Sequence, residues 1–521
     1  MHENLRIARA SRTRRILAAT GGMALVGGAL LGVVLPASAA VPGPGQIVPV
    51  SLEDAAGTAF LQQGRDPAVS ADGRYVAFVS DDNPSNTDQI FLRDLQTGAM
   101  SIISHAADGT LGNKFSEQPE VSRDGRFVTY TSFATNLAAG VDTHSVKQVY
   151  RYDVTSNSST MVSVDDAATP SGALTGVTDR VAMSDDGNLI AFVSNSSLVT
   201  GDVVTASQVW VRDMQSEQTT LVSHTSTVTN GGDGASGGPA MSPNGAYIAW
   251  HSLATDLDGA NAGAQQIYIS SGAGTVTMVS RQPDGTTPGE LASRDPDVAD
   301  DGAVSFLSFA QKLVTPSLTS GREQAYFNSA DAITTLISHA DGKPTVDVSG
   351  AAFEASISGD GQTVLFTSEA TNVTADGGNG VRQLYSWSRS TNASRLLSVT
   401  TAGTLPTRAP EQIELASDGV TAVFQSQADD LVASPDSDET TQAFAVSTLA
   451  SVPPTPTPDP SNGGSNGSTA GSGGAGAKLA STGADVSGAG LAGALGAVLL
   501  AGGAGTALLL RRRGERDASR G

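Results

Sequence analysis

The chain has 521 residues and no cysteine. That excludes a disulfide framework, thiol catalysis and thiolate metal sites, and leaves stability to packing alone. Histidine occurs only six times. Aromatic residues are scarce at 5%, with 3 Trp, 8 Tyr and 14 Phe. Basic residues are outnumbered, 30 Lys and Arg against 52 Asp and Glu. With a formal total of −22, the two ends at +4 (residues 1–40) and +3 (511–521) leave −29 for residues 41–510. So acidic a surface repels phosphate backbones and argues against nucleic acid as a partner, while it attracts cations. Long apolar runs are confined to the two ends.

At the N-terminus, Arg6, Arg9, Arg12, Arg14 and Arg15 precede an apolar, Gly/Ala-rich run from Ile16 to Leu35, and Ala37-Ser38-Ala39 follows. A basic start, an apolar middle and small residues at a cleavage position define a signal peptide over 1–40. Arg14-Arg15-Ile16-Leu17 is compatible with twin-arginine export, although the general secretory route is the expectation. At the other end, Val486 to Leu510 carries no charge and is followed by Arg511-Arg512-Arg513. Twenty-five helical residues at about 1.5 Å each cover roughly 37 Å, enough for a bilayer core of about 30 Å. The arginines place the tail on the cytoplasmic side.

Just outside that span stands Leu479-Ala480-Ser481-Thr482-Gly483. Pentapeptide, apolar span and basic tail together resemble the cell-wall sorting signal of Gram-positive surface proteins. Ala480 replaces the usual proline, as in the form similar to that read by class E sortases of high-GC Gram-positives. The resemblance implies cleavage between Thr482 and Gly483 and covalent attachment to peptidoglycan, with a membrane span before sorting. Residues 479–521 are then the sorting signal, and the expected location is the cell wall at the cell surface. Between it and the rest, 451–478 is Pro/Thr-rich and then Gly/Ser/Asn-rich, the composition of a disordered tether.

Residues 41–450 are one pattern repeated. Gln, an apolar residue and an aromatic recur as Gln89-Ile90-Phe91, Gln148-Val149-Tyr150, Gln208-Val209-Trp210, Gln266-Ile267-Tyr268, Gln324-Ala325-Tyr326, Gln383-Leu384-Tyr385 and Gln442-Ala443-Phe444. The interval is 58 to 60 residues throughout. Before each Gln lies an Asp-Gly or Asn-Gly pair, a tight-hairpin signal, leading into a β-rich run with aromatic-x-Ser such as Phe78/Ser80. After it comes a short strand ending in Ser at 104, 163, 223, 280, 338 and 398. Four antiparallel strands per unit, seven times over, predict an all-β, seven-bladed β-propeller. Ser70-Ala71-Asp72-Gly73-Arg74-Tyr75-Val76-Ala77-Phe78-Val79-Ser80 resembles the repeat of WD40-like, TolB-type propellers. In later copies Ala299 and Ala416 replace the serine before the turn.

The seventh unit has no fourth strand of its own, because its place falls in Pro453-Pro454-Thr455-Pro456-Thr457-Pro458. Gln46-Ile47-Val48-Pro49-Val50-Ser51 supplies it from the other end and closes the ring.

Candidate chemistry is sparse. The two strand markers use 14 of the 25 aromatic residues, and the 11 left over, including Trp387, Tyr152 and Phe133, form no evident platform for stacking on sugars. Gly-x-Ser-x-Gly strings at Ser236 and Ser465 lack the strand-to-helix setting of a nucleophile elbow, the first lying in an interblade loop and the second in the tether. His105, His224 and His339 share one repeat position and read as outer-strand surface residues. Asp256-Leu257-Asp258-Gly259 is the nearest approach to a calcium loop, without a closing Glu. Aligned inner strands place Asp66, Glu120, Asp295, Asp297, Glu354 and Glu414 where they would line an acidic central channel. The sequence thus points to a surface-displayed propeller that binds or adheres to a polysaccharide, peptide or envelope protein, with no cofactor required beyond a possible calcium ion. The alternatives are a wall-attached glycoside hydrolase or lyase using channel-mouth carboxylates, and a spacer without a ligand.

Overall fold

The computed structural model describes residues 41–450 apart from 54–58, 167–170, 178, 260, 262, 272–273 and 434–438. The signal peptide, the tether, Leu479 to Gly483, the apolar span and Arg511 to Arg513 therefore lie outside the described residues.

Each Gly of the Asp-Gly and Asn-Gly pairs, from Gly73 to Gly419, has the positive φ that a tight hairpin demands. At five of the seven hairpins the preceding serine locks the turn. Ser70 Oγ donates to Asp72 (2.6 Å) and accepts the Tyr75 N–H (2.9 Å), and where Ala299 and Ala416 stand this lock is lost. Strands flank every turn, and they assemble into seven four-stranded antiparallel sheets among the described residues. Blade 1 is Arg65–Val69, Tyr75–Ser80, Gln89–Asp94 and Met100–Ile102. The next five repeat that order, with inner strands Ser116–Val121, Ala182–Met183, Ser236–Met241, Ser293–Val298 and Ala352–Ile357. Between blades 5 and 6 a two-stranded ribbon, His339–Ala340 with Lys343–Asp347, interrupts the connection.

Blade 7 is built from both ends of the domain. Glu411–Leu415, Thr421–Ser426 and Gln442–Ser447 are completed by Ile47–Pro49, paired antiparallel as Ile47 with Val446 and Pro49 with Phe444. The ring is thereby closed, and a partial seventh unit is excluded.

The repeated glutamines explain the spacing of the sequence. All seven are fully buried. In each blade the outer-strand serine donates to the Gln Oε1 at 2.5–2.7 Å: Ser104 to Gln89, Ser163 to Gln148, Ser223 to Gln208, Ser280 to Gln266, Ser338 to Gln324 and Ser398 to Gln383. In blade 7 the donor is Ser51, at 2.6 Å from Gln442. The Gln Nε2 in turn reaches a carbonyl of the connection to the next blade, such as Gly112 (3.2 Å), Ala173 (2.9 Å) and, across the closure, Leu61 (3.0 Å). The latch thus satisfies buried polar groups and, except in blade 6, where Gln383 Nε2 reaches Asn379 Oδ1 (3.0 Å) and the Val381 carbonyl (3.2 Å) of its own blade, fastens one blade to the next.

Packing follows the second marker. The aromatic of aromatic-x-Ser lies opposite the aromatic after Gln, and the rings stack at 5.4–6.2 Å in Phe78–Phe91, Tyr130–Tyr150, Trp250–Tyr268, Phe306–Tyr326, Phe366–Tyr385 and Phe424–Phe444. Such pairs are worth about 0.5–1.5 kcal/mol beyond the area they bury. Apolar residues of adjacent blades share each cluster, as Ala77, Ile90 and Leu92 of blade 1 do with Val128 and Tyr150 of blade 2. Trp387 and Tyr152 belong to this core, each nearly inaccessible.

Candidate ligand-binding funnel

The inner strands surround an axial cavity of about 520 Å³ that adjoins a narrower one of about 150 Å³, with Glu120, Arg180 and Glu414 in both walls. The wide part lies toward the strand starts and the narrow part toward the hairpins. At the hairpin end the turns interlock. Arg123 N–H donates to the Asp185 carbonyl (2.7 Å), Asp185 N–H to Pro243 (2.8 Å), Asp300 N–H to Gly359 (2.8 Å), Gly359 N–H to Ser417 (2.9 Å) and Asp418 N–H to Ala71 (3.1 Å). Ser417 Oγ also donates to Asp185 Oδ1 at 3.0 Å, joining blade 7 to blade 3 across the axis. The channel is a funnel, open at one end and constricted at the other.

A bulge shapes the wall. Pairing of the inner strand shifts register between Arg65 and Ala68, Glu117 and Glu120, Gly237 and Ala240, Arg294 and Asp297, and Glu411 and Glu414. At each shift one residue takes a positive φ: Asp66 (48°), Gln118 (56°), Gly238 (56°), Asp295 (49°) and Gln412 (51°). Only Gly238 adopts it freely, and each of the others costs on the order of 1 kcal/mol. The bulge brings consecutive residues to the wall, so Glu117 and Arg294 line it beside their neighbours, and Asp179 of blade 3 lines it as well. Strict alternation along a strand points such residues away from the channel, which is why the sequence did not reveal them.

Asp66, Asp295 and Glu354 lie in the wide part, Asp297 in the narrow part, and Glu120 and Glu414 in both. Toward the mouth the carboxylates are paired. Asp66 meets Arg65 (3.4 Å), Glu117 meets Lys147 (2.6 Å), Asp295 meets Arg294, and Glu354 lies 3.8 Å from Arg382. Burial nevertheless pushes the Asp66 and Glu354 carboxyls above their usual range.

Several wall carboxylates also have a structural task. Neighbouring inner strands do not pair with each other, so their outward N–H groups need acceptors. Asp297 Oδ2 accepts Ile357 N–H (2.9 Å) and Ser356 Oγ–H (3.0 Å), Glu354 accepts Ile413 N–H (3.2 Å), Asp179 accepts Gly238 N–H (2.5 Å) and Glu414 accepts Val69 N–H (3.1 Å). These bonds cross-link blades 5 to 6, 6 to 7, 3 to 4 and 7 to 1.

Glu120 has no such task and makes no hydrogen bond or ion pair among the described residues. Burial pushes its carboxyl up to about 8, opposed by the Arg180 charge and reinforced by Asp297. Burial and the Glu120 charge likewise hold Glu414 well above the carboxylate range, and burial raises Asp297. Arg180 donates to the Pro296 carbonyl at 2.9 Å. It is the one cation near these three acids, and its guanidinium forms no ion pair within 4 Å among the described residues, Asp179 instead accepting the Arg180 backbone N–H at 2.8 Å. In the deep tier burial thus favours the protonated forms of three acids around a single guanidinium.

Other sequence candidates resolve differently. His105, His224 and His339 are buried rather than on the surface. Each Nδ1 sits 2.7–3.0 Å from the next residue's carbonyl, and the Nε2 of His105 meets Tyr152 Oη (3.3 Å). Ser236 begins the inner strand of blade 4, not a loop, and its buried hydroxyl bonds Ser252 at 2.9 Å. In the calcium-like segment, Asp258 is taken by Arg281 (2.9 Å) and by Met278 N–H (2.8 Å), and Asp256 by Asp233 N–H (3.0 Å). No group of three His, Asp or Glu side chains able to share a metal ion occurs among the described residues.

No protein-family model matches the sequence, and no curated protein does. Among solved structures, similarity extends to an oligogalacturonate lyase from Vibrio parahaemolyticus at 11% identity, covering 78% of this chain and 92% of that one with a TM-score of 0.43. The β-propeller domain of the Trilobed protease from Pyrococcus furiosus is similar at 12% identity, over 74% and 95% of the two chains, with a TM-score of 0.43. TolB from Acinetobacter baumannii is similar at 15% identity, over 62% and 63%, with a TM-score of 0.35. Likeness at this level carries no activity across. The chain is a seven-bladed β-propeller by its own strand order.

Proposed function

We propose that this protein is exported, attached to the cell wall through Leu479 to Gly483, and displays its propeller as a binding module for a ligand bearing an ammonium or guanidinium group. The observation that supports this most is the charge of the funnel. Seven carboxylates face two guanidinium groups around its 520 Å³, and in the deep tier three acids share Arg180 alone. The narrowed hairpin end favours a group that enters and stops over a polymer that threads through. Binding is measured by titrating the full-length chain in mild detergent with spermidine at pH 9, where the Glu120 proton has left. Saturable binding, weakened about tenfold in Glu120→Gln, is expected. Binding indifferent to that substitution would move the site elsewhere on an acidic surface. Anchoring has its own test: Thr482→Ala should release the chain from walls boiled in detergent, and equal resistance of the variant sinks the sortase reading.

The second reading is a wall-attached hydrolase or lyase, favoured by one observation. Glu120 keeps its proton near neutral pH, and its charge helps to raise a second buried carboxyl, Glu414, as suits a general acid. Product formation from wall or extracellular polysaccharide that stops in Glu120→Gln would select this reading.

A further inference from the structure

One repeat position varies in a way the fold does not require. The residue after the aromatic-x-Ser serine stands where the second strand of each blade ends, away from the hairpins and on the face where the funnel opens. It is Asp81, Asn195, Glu369 and Gln427 in blades 1, 3, 6 and 7. In blade 2 it is Phe133, in blade 4 Leu253 and in blade 5 Phe309. Leu253 and Phe309 are 46% and 40% exposed and stand outside the buried core clusters. Leu291, 45% exposed, lies two residues before the inner strand of blade 5, where Phe309 N–H donates to the Ala292 carbonyl at 3.0 Å. In blade 6 Phe353 lines the funnel itself beneath the Arg382 guanidinium, 4.0 Å from its ring.

Blades 4, 5 and 6 thus carry an arc of apolar residues on the face where the acidic cavity opens, and blade 2 adds a second apolar pair there, Phe115 (38% exposed) and Phe133, with ring centroids 4.7 Å apart. A scaffold role would have produced the same residue type in all seven blades, as it did at the Gln and Ser positions. Exposed apolar side chains gathered beside a cavity mark an interaction surface. Charge complementarity selects its occupant, since the funnel takes a cation and the arc takes what flanks it.

We infer that the arc and funnel together recognise a peptide segment of a partner protein. A lysine or arginine enters the funnel, and its apolar neighbours lie on Leu253, Leu291 and Phe309. The inference rests on the cation-binding reading above and adds the class of ligand.

The full-length chain in mild detergent is titrated with two fluorescent, N-acetylated peptides, Phe-Leu-Lys-Leu-Phe and Ser-Ser-Lys-Ser-Ser, and with spermidine. The apolar-flanked peptide should bind at least tenfold more tightly than the serine-flanked one. In the double variant Leu253→Ser, Phe309→Ser that gap should close while spermidine affinity stays within twofold. Both residues are exposed, and an unchanged melting curve verifies the variant's fold. Spermidine and both peptides binding equally to the unsubstituted chain would overturn this inference and leave the cation-binding reading intact. Absence of binding by all three probes would overturn both. A peptide preference that survives in the double variant would overturn the assignment to the arc.

Discussion

Two sets of positions in the same seven blades behave in opposite ways. The Gln–Ser latch is identical in every blade, down to a bond length of 2.5–2.7 Å. The deep tier of the inner strands reads Ala68, Glu120, Ala182, Ala240, Asp297, Ser356 and Glu414, with little repetition. The latch answers a demand every blade makes, to satisfy buried polar groups where one blade joins the next. The deep tier faces a single shared axis, where seven copies of one carboxylate would repel each other, so only some blades supply a charge. In a repeat protein, sameness identifies scaffold and difference identifies the places free to acquire a function.

The comparison is broken most severely at the closure. Deleting Gln46 to Ser51 removes a strand ladder, two buried valines and the seventh latch together, and should cost about 5 kcal/mol or more. Urea unfolding checks this, and an unchanged midpoint would mean that the ring closes by another route. A single latch is the next largest effect. Gln208→Leu leaves the Ser223 hydroxyl and the Gly232 carbonyl without their partner, for an expected loss of about 2–3 kcal/mol. Equivalent substitutions in other blades should cost similar amounts, and a wide spread would show that the latches are not equivalent.

At Glu120 the sign reverses and depends on pH. Its carboxyl is pushed up to about 8 in the folded chain against 4.5 ordinarily. The folded state holds a proton that the unfolded state releases, so stability falls as pH rises between those values. Glu120→Gln should flatten that slope and raise stability at pH 9 on the order of 2 kcal/mol. Melting curves from pH 5 to 9 that remain parallel for the two chains would refute it. The smallest effect belongs to the cross-axis bond, where Ser417→Ala should cost less than about 1 kcal/mol.

Much of the fold was legible because a hairpin turn, a buried amide and a ring stack each demand a particular residue type at a particular spacing. The closure was legible for the same reason, since prolines cannot supply the missing strand and Gln46 to Ser51 can. The funnel was legible in part. Asp66, Glu120, Asp295, Asp297, Glu354 and Glu414 follow from aligning inner strands, whereas Glu117 and Arg294 reach the wall only because the bulge suspends alternation. Nor does sequence reveal that Asp297, Glu354 and Glu414 accept N–H groups from the next blade, some 59 residues on or across the closure. The buried histidines were misread because the outer strand ends before the serine that precedes them, at Ile102, Leu221 and Leu336. Beyond it, the turning backbone folds the imidazole inward instead of continuing the in–out pattern.

The closure also decides how the domain meets a mechanical load. Gln442–Ser447, the last strand before the chain leaves the propeller, is held on both flanks, by Thr421–Ser426 on one side and Ile47–Pro49 on the other. A pull on the C-terminal end therefore acts along a strand clamped between two ladders. Those bonds must shear together, whereas an edge strand would unzip one bond at a time.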